Sequence, residues 1–155
     1  MRLLLDALSW NYVLVTALIS SFLAQFTKVI INMIILGKFI PERMWGAGGM
    51  PSAHSATVCA MVVATGRYCG VNSSIFAVAL IVSIIVMYDA MGVRRETGEQ
   101  AKVLNRMLSE WAEHGTEFLP FLDHKKLKEM VGHTPIQVWT GAAFGAAIGF
   151  IMPMV

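Results

Sequence analysis

Residues 46–55 read GAGGMPSAHS, a short polar stretch between two long apolar runs. Its glycines allow close backbone approach, and successive backbone N–H groups in such a loop form a concave anion site. A helix that starts here would direct its positive N-terminus into the same place. The stretch also contains His54, whose imidazole can give or take a proton near neutral pH. It therefore fits a phosphate-binding loop, and the alternative is a Gly/Pro-rich connector between two membrane helices.

The composition places the chain in a membrane. Of the 155 residues, 56% are hydrophobic and only 14% are charged, with a mean hydropathy of +0.63. A soluble domain carries about a quarter charged residues, and here the apolar residues fall in long blocks. The sequence therefore predicts a single integral membrane domain over residues 1–155. A soluble domain is excluded, and nothing in the chain suggests nucleic-acid binding.

The N-terminus and the cysteines carry little chemistry of their own. The first residues, MRLLLDALSWNY, contain Asp6 and lack a small-residue cleavage site, so we expect no cleaved signal peptide. Cys59 and Cys69 fall in or at the end of an apolar segment. We expect two buried free thiols there rather than a disulfide or a metal site.

Four apolar segments and one amphipathic segment can be recognised. The first run, 11–37, exceeds the roughly 20 residues that span a bilayer. The others are 55–69, 74–87 and 136–155, and the short second one is expected to begin within the glycine-rich loop. The pattern stays helical from Tyr88 through Leu108, with Val103, Met107 and Trp111 on one face. The sequence predicts an all-α polytopic membrane bundle with about four to five membrane segments plus an amphipathic helix.

Lys28 lies about two-thirds of the way along the first apolar run. A lysine there is costly unless it reaches the interface or faces a polar cavity, and it is far from both ends of the run. We therefore predict that Lys28 faces the site. Gln25, Thr27 and Asn32 lie within a turn or so and indicate a polar stripe on one helix face.

An arginine pair follows the third apolar segment, in the stretch YDAMGVRR at 88–95. Arg94 and Arg95 could anchor the helix at the membrane edge, as basic residues commonly do. They could also clamp a phosphate, because the forked donors of arginine suit oxyanions. Asp89 is near the membrane and could pair with Lys28 or with one of these arginines.

A second histidine opens the last segment in the sequence GHTP, residues 132–135. Thr134 can cap the helix and Pro135 suits its first turn, which places His133 at a depth comparable to that of His54. Glycines then recur every four residues, and such a stripe serves close helix packing within the monomer or in a homo-oligomer. They are Gly141, Gly145 and Gly149.

The remaining histidines do not indicate a metal site. His114 and His124 have no partner at a metal-ligand spacing, and we interpret both as surface residues of a solvated region at 112–130. No cofactor is predicted.

The charges predict the orientation. With four segments, the loop before His54 and residues 93–135 lie on one side and hold nine of the twelve Lys and Arg residues. The positive-inside rule places that side in the cytoplasm, as expected in a bacterial cell membrane. The nine are Lys38, Arg43, Arg94, Arg95, Lys102, Arg106, Lys125, Lys126 and Lys128.

One face thus gathers two histidines, several cations and a glycine-rich loop. This set suits phosphomonoester hydrolysis without a metal, in which one histidine attacks phosphorus and the other protonates the leaving alcohol. Cationic side chains and backbone N–H groups would hold the oxygens. The predicted phosphate-binding residues are Lys28, Arg43, Gly49, Ser52, Arg94 and Arg95, supported by Ser55 and Asp89.

Three sequence blocks together resemble the divergent PAP2 family. They are GMPSAHS at 49–55, YDAMGVRR at 88–95 followed by QAKVLN at 100–105, and GHTP at 132–135. The family consists of small bacterial and plastid membrane proteins related to acid phosphatases and vanadium haloperoxidases. The resemblance covers nearly the whole chain and implies a helical membrane fold of the lipid-phosphatase kind.

The resemblance also implies roles for particular residues. The wider superfamily has Pro-Ser-Gly-His with the histidine as general acid, and here Pro-Ser-Ala-His ends at His54. A nucleophilic histidine is followed four residues later by an orienting aspartate, and here His133 is followed by Gln137. The Ser-Arg pair before the nucleophile is replaced by Lys126 and Leu127, so Arg94 and Arg95 would supply its arginine in space. The Lys-x6-Arg-Pro motif is unmatched, and Lys28 and Arg43 are candidates by type.

The substrate class follows from the place of the site. A site beside the bilayer favours an amphiphilic phosphate, and on the cytoplasmic face it would suit phosphatidylglycerophosphate or phosphatidate. An outward-facing site would suit polyprenyl pyrophosphate better. The rival interpretation is a non-catalytic membrane protein that binds or carries a phosphorylated lipid.

Overall fold

The computed structural model describes residues 2–37, 49–113, 127 and 132–154, and within these ranges regular structure is entirely helical. The all-α prediction is therefore confirmed. In chain order the helices are α1 (Arg2–Leu36), α2 (Ala53–Cys69), α3 (Ser74–Met91), α4 (Val93–Glu113) and α5 (Pro135–Ile151).

The outer surface of the helices suits a lipid environment. Large apolar side chains are exposed along them, for example Phe22, Ile85 and Trp139. By length and composition, two helical stretches are long and apolar enough to cross a membrane: Asn11–Ile34 in α1, and Ser74–Glu110, which covers α3 and most of α4. The apolar helix α5 is shorter. The fold is that of a helical membrane bundle, and the number of crossings stays a prediction.

Side-chain caps set where the helices begin. The Ser52 hydroxyl oxygen accepts a hydrogen bond from the Ser55 N–H at 3.4 Å, and α2 begins at Ala53, within the glycine-rich stretch 46–55 as predicted. Ser73 caps α3 in the same way. Thr134 is the N-cap of α5 and Pro135 its first residue, as predicted.

Helix α2 lies at the centre of the bundle. It packs against α1, α3 and α5, whereas α1 and α3 do not contact each other in the described part of the chain. Its buried positions are small, and Ala56, Ala60 and Ala64 have no exposed surface. Small side chains let the neighbouring backbones approach closely.

The predicted glycine stripe makes the contact between α5 and α2. A Cβ on Gly141 would collide with the carbonyl oxygen of Ser52, and one on Gly145 with that of Ala56. Gly149 lies against Val63, with the Ala60 carbonyl next to it. The stripe thus serves close packing within the chain, as predicted. The residue numbers of the contacting pairs increase in the same direction along both helices, so α2 and α5 run parallel.

Helix α1 turns a row of small and polar residues towards α2. Tyr12, Thr16, Ser20, Ala24 and Lys28 recur every four residues and are all buried. The Ser20 hydroxyl donates to the carbonyl of Ala56 at 3.0 Å, which fixes the face of contact. The row shares only its Lys28 end with the polar stripe predicted from the sequence.

The two cysteines are both free thiols but differ in exposure. Cys59 is half-buried, with its sulfur 3.8 Å from that of Met87 on α3. Cys69 is exposed at the last residue of α2, so the prediction that it is buried is wrong. It closes an apolar segment in the sequence, but it lies next to the turn at Gly70, where the chain leaves the bundle.

Candidate active site

His54 and His133 lie beside each other at one end of the bundle. Their ring centroids are 6.0 Å apart, and the rings are nearly perpendicular at 85°. His54 is on the first turn of α2 and is exposed, whereas His133 lies two residues before α5 and is only 5% exposed. The two histidines that are 79 positions apart in the sequence are therefore neighbours in the fold.

The backbone around His133 is held by the junction of α3 and α4. The His133 N–H donates to the carbonyl oxygen of Ala90 at 3.1 Å. Gly132 has φ +96°, and a Cβ there would lie 2.5 Å from the backbone nitrogen of Arg95. Only glycine combines this conformation with so close an approach. Sequence reasoning did not single out Gly132 as a positioning residue, although a glycine directly before the candidate nucleophile is a signal for one.

The segment before His54 is tied to the helix that follows His133. The Ser52 N–H donates to the carbonyl oxygen of Gln137 at 3.1 Å. The Ser52 hydroxyl oxygen accepts from the N–H and the hydroxyl of Ser55, and both serines are fully buried. These groups are engaged within the protein, so Ser52 has a structural role that needs no phosphate contact.

Lys28 reaches the same end of the bundle from α1. Its side chain is 4% exposed and lies under Gly49, where an added Cβ would be 2.9 Å from its Cδ. Gly49 has φ +87°, a conformation that favours glycine. The charge of Lys28 lowers the pKa of His133, so Lys28 belongs to the same electrostatic environment as the pair.

The two arginines diverge. The Arg94 Nε lies 2.7 Å from a carboxylate oxygen of Asp89. Of the partners that the sequence allowed for Asp89, Lys28 or one of the two arginines, Arg94 is the one that pairs with it. The charge of Arg94 acts on both histidines. The charge of Arg95 acts instead on Glu99, and the Arg95 backbone lies close against Gly132. The structure thus brings Arg94 to the pair, while Arg95 contributes main chain.

Gln137 has a different partner from the one expected. Its side-chain oxygen accepts a hydrogen bond from the Thr134 N–H at 3.1 Å, and the two residues form a capping box at the start of α5. This role departs from the orienting contact to the His133 ring that the resemblance implied. Gln137, four residues after His133, is also the third residue of α5, and this is the position at which capping boxes have Glu or Gln.

Some predicted residues lie outside the described residues. They are Arg43 and the glycines at 46 and 48 of the loop, together with His114 and His124. Within 2–37, 49–113, 127 and 132–154, no group of three or more His, Cys, Asp or Glu side chains could hold a metal ion.

The electrostatics of this end favour an anion. Helices α2 and α5 both begin here, so two positive helix N-termini meet beside Lys28 and Arg94. Burial is the main cause that lowers the pKa of His133 to about 4, and the charge of His54 adds to it. His133 is therefore a neutral imidazole at pH 7, with a lone pair free to attack or to accept a proton.

Comparison with known proteins agrees with this architecture. A family model described as "Divergent PAP2 family" matches residues 9–148. The chain is 38% identical over 148 residues to "Uncharacterized membrane protein YuiD" of Bacillus subtilis (strain 168). That match covers 92% of this chain and 94% of the relative. No solved structure matches the chain significantly.

Proposed function

The chain belongs to the divergent PAP2 family of membrane proteins, and from this we propose that it is a phosphatase that hydrolyses a phosphorylated membrane lipid without a metal ion. The family description supports a phosphatase-related role. The observation that carries the specific reaction is the edge-on pair of His54 and His133 at 6.0 Å. One ring of the pair is buried and the other exposed, which suits two different roles.

His133 is the nucleophile in this proposal. Its pKa of about 4 leaves a neutral ring at pH 7, so its nitrogen can attack phosphorus directly. The new N–P bond forms as the bond from phosphorus to the lipid oxygen breaks. The product of this first step is a phosphohistidine and a lipid alcohol.

His54 is the general acid and then the general base. In its protonated form it donates a proton to the departing lipid oxygen, which then leaves as an alcohol. The neutral His54 next takes a proton from water as that water attacks the phosphohistidine. The N–P bond breaks, inorganic phosphate leaves, and both histidines return to their starting states. Its exposure allows both the leaving group and water to reach it.

The cations and helix ends stabilise the charge that develops on the phosphoryl oxygens. Lys28 approaches from α1 and Arg94 from α4, and the N-termini of α2 and α5 add partial positive charge. Asp89 orients Arg94 through the ion pair at 2.7 Å. Gly49 leaves room for the stem of Lys28, and Arg43 stays a candidate ligand from the sequence.

The substrate follows from where the pair lies along the helices. His54 is at the first turn of α2 and His133 is just before α5, at the end of the bundle where α3 stops at Met91. A phosphate at the end of lipid-exposed helices belongs to an amphiphile whose chains stay in the bilayer. A glycerolipid phosphate such as phosphatidylglycerophosphate or phosphatidate fits, and a polyprenyl pyrophosphate is the outward-facing alternative.

One observation favours a second function, non-catalytic binding of the same lipid class. The side-chain oxygen of Gln137 is engaged in the capping box, so the carboxylate that steadies a charged histidine in the superfamily has no equivalent at this position. A protein that kept the cations and helix ends but lost turnover would bind or carry a phosphorylated lipid.

Phosphate release separates the two functions. The purified protein in detergent with excess EDTA is given phosphatidylglycerophosphate, phosphatidate or undecaprenyl pyrophosphate. The variants are His54→Ala and His133→Ala, and His114→Ala, from the region predicted as solvated, is the matched control. We expect metal-independent release from one lipid that both site variants lose and the control retains. Folded wild-type protein that releases phosphate from none of them would favour the binding function.

A further inference from the structure

Arg67 lies at the opposite end of α2 from His54 and binds the last turn of α5. Its Nη1 is 2.7 Å from the carbonyl oxygen of Gly149, 2.9 Å from that of Phe150 and 2.8 Å from that of Met152. The same nitrogen is 2.9 Å from the hydroxyl of Tyr12, which also donates to Met152 at 3.3 Å. One side chain thus joins α1, α2 and the end of α5.

These carbonyls are the groups that a helix end leaves without internal partners. Arginine suits them because its planar guanidinium is always charged and donates only; all four contacts here are made by one of its nitrogens, Nη1. Its charge also compensates the negative ends of two parallel helices, α2 and α5, which finish side by side.

The axial register of α5 on α2 sets the distance between the two histidines. His54 is on the first turn of α2, and His133 lies two residues before α5, which runs parallel to α2. A shift of α5 along α2 therefore moves His133 past His54 by the same amount.

The packing between these helices does not define one register by itself. Gly141, Gly145 and Gly149 recur every four residues, and so do Ser52, Ala56, Ala60 and Ala64 on α2. If α5 moved along α2 by four residues, about 6 Å, each glycine of α5 would again lie opposite a small residue. The register must therefore be fixed by contacts at the ends of the two helices.

Two such contacts are present. At the histidine end, the Ser52 N–H donates to the carbonyl of Gln137. At the far end, Arg67 holds the last turn of α5. We propose that Arg67 is a positioning residue, which fixes the register of α5 on α2 and so holds His133 against His54 about 20 Å away.

The test reads the environment of His133 directly. The sequence has four histidines, so their ring signals can be assigned by NMR of histidine-labelled protein in detergent. The variants are Arg67→Met and Arg67→Lys. The matched control is Arg106→Met, which removes the same charge from an exposed residue paired with Glu110 on α4.

In the wild type we expect His133 to titrate near pH 4. Arg67→Met lets α5 shift, so His133 loses burial and the charges of His54, Lys28 and Arg94, and its midpoint rises by roughly one unit or more. Arg67→Lys keeps a cation but places it on a shorter side chain without the planar guanidinium, so the carbonyls are held less well and its midpoint lies between the two. Arg106→Met leaves the midpoint at the wild-type value.

A folded Arg67→Met protein whose His133 titrates as in the wild type would overturn the proposal. If that variant does not fold, Arg67→Lys decides, and an unchanged midpoint there overturns it as well. The titration needs no substrate, so its result is independent of the proposed phosphatase. Only the parallel expectation, a fall in kcat with little change in KM, rests on that function.

Discussion

The two histidines of the pair are the same residue type in different surroundings, and this difference matches the two roles proposed for them. His133 is buried, and its pKa is lowered to about 4. His54 is exposed on the first turn of α2, where water and a leaving group can reach it. A buried neutral ring is suited to attack, and an exposed ring is suited to proton transfer.

The first prediction concerns the pH dependence of phosphate release. Protonated His133 has no lone pair, so kcat/KM should fall on the acid side with a midpoint near 4. Lys28→Met removes a cation that lowers the pKa of His133. The acid-side midpoint of the kcat/KM profile of this variant should therefore move to higher pH, although its maximal rate falls. Lys102→Met is the control, because Lys102 is exposed and paired with Glu99. An acid-side midpoint near 6.5 that is the same in the wild type and in Lys28→Met would contradict the nucleophile assignment.

The second prediction concerns Gln137. Gln137→Glu preserves the capping box and places a negative charge at a helix N-terminus, so the protein should stay folded. Its activity should be equal or higher, because a carboxylate steadies a charged His133 better than an amide does. Gln137→Leu removes the acceptor of the Thr134 N–H and should cost about 1 kcal/mol of stability. Thermal unfolding and phosphate release measure the two effects separately, and a large activity loss in the folded Glu variant would rule out an orienting role at 137.

Sequence reasoning found the residues of the site that stand out from apolar surroundings. Lys28, His54 and His133 are polar or ionisable within membrane segments or at their ends, where such residues are costly and so informative. For Ser52 and Gln137 the structure shows capping contacts three residues away, and their predicted roles in the site stay predictions. The spacing of a cap also matched the spacing of a catalytic motif. Only coordinates distinguish these two uses.

At the scale of the helices, the site depends on where two N-termini and one helix junction meet. Helices α2 and α5 start at the histidines, and the junction of α3 with α4 carries Arg94 and supports Gly132. The helix bounds were largely predictable from hydropathy and caps, except that the helical pattern predicted from Tyr88 through Leu108 is interrupted at Gly92, between α3 and α4. The face that α1 buries was not predicted, although its row of small and polar residues, Tyr12, Thr16, Ser20 and Ala24, differs clearly in hydropathy from exposed neighbours such as Leu18 and Phe22.

The third prediction tests the junction through Gly132. Gly132→Ala introduces a side chain at φ +96° and 2.5 Å from the Arg95 nitrogen, so the segment must move and carry His133 with it. The matched control is Gly70→Ala, which has φ +82° and open space around its Cβ. The control should lose about 1 kcal/mol of stability through backbone strain and keep its activity. Gly132→Ala should lose more stability and at least tenfold in kcat. Equal behaviour of the two variants would show that the close approach to Arg95 is unimportant.

For the whole molecule, the two ends of the bundle are chemically distinct. One end holds the histidine pair with Lys28 and Arg94, and the other holds Arg67 against the end of α5. The described helices expose large apolar side chains between these ends. The excess of Lys and Arg on the histidine side of the sequence predicts that this end faces the cytoplasm. The structure supplies a native reporter of that orientation in Cys69.

The fourth prediction uses that reporter. Cys69 is exposed at the far end of α2, whereas Cys59 is half-buried between α2 and α3. If the histidine end faces the cytoplasm, a membrane-impermeant maleimide should label Cys69 on intact bacterial cells that express the protein. Cys69→Ser should abolish that labelling, and Cys59→Ser should leave it unchanged.

The orientation also decides between the substrates. Labelling of intact cells would place His54 and His133 at the cytoplasmic leaflet, where phosphatidylglycerophosphate and phosphatidate are the candidate lipids. Labelling only after the cells are permeabilised would place the pair on the outer face and contradict the charge-based prediction. The positive charge at this end, including that of Arg94, would then reflect the site and not the positive-inside rule. Polyprenyl pyrophosphate would become the first substrate to test.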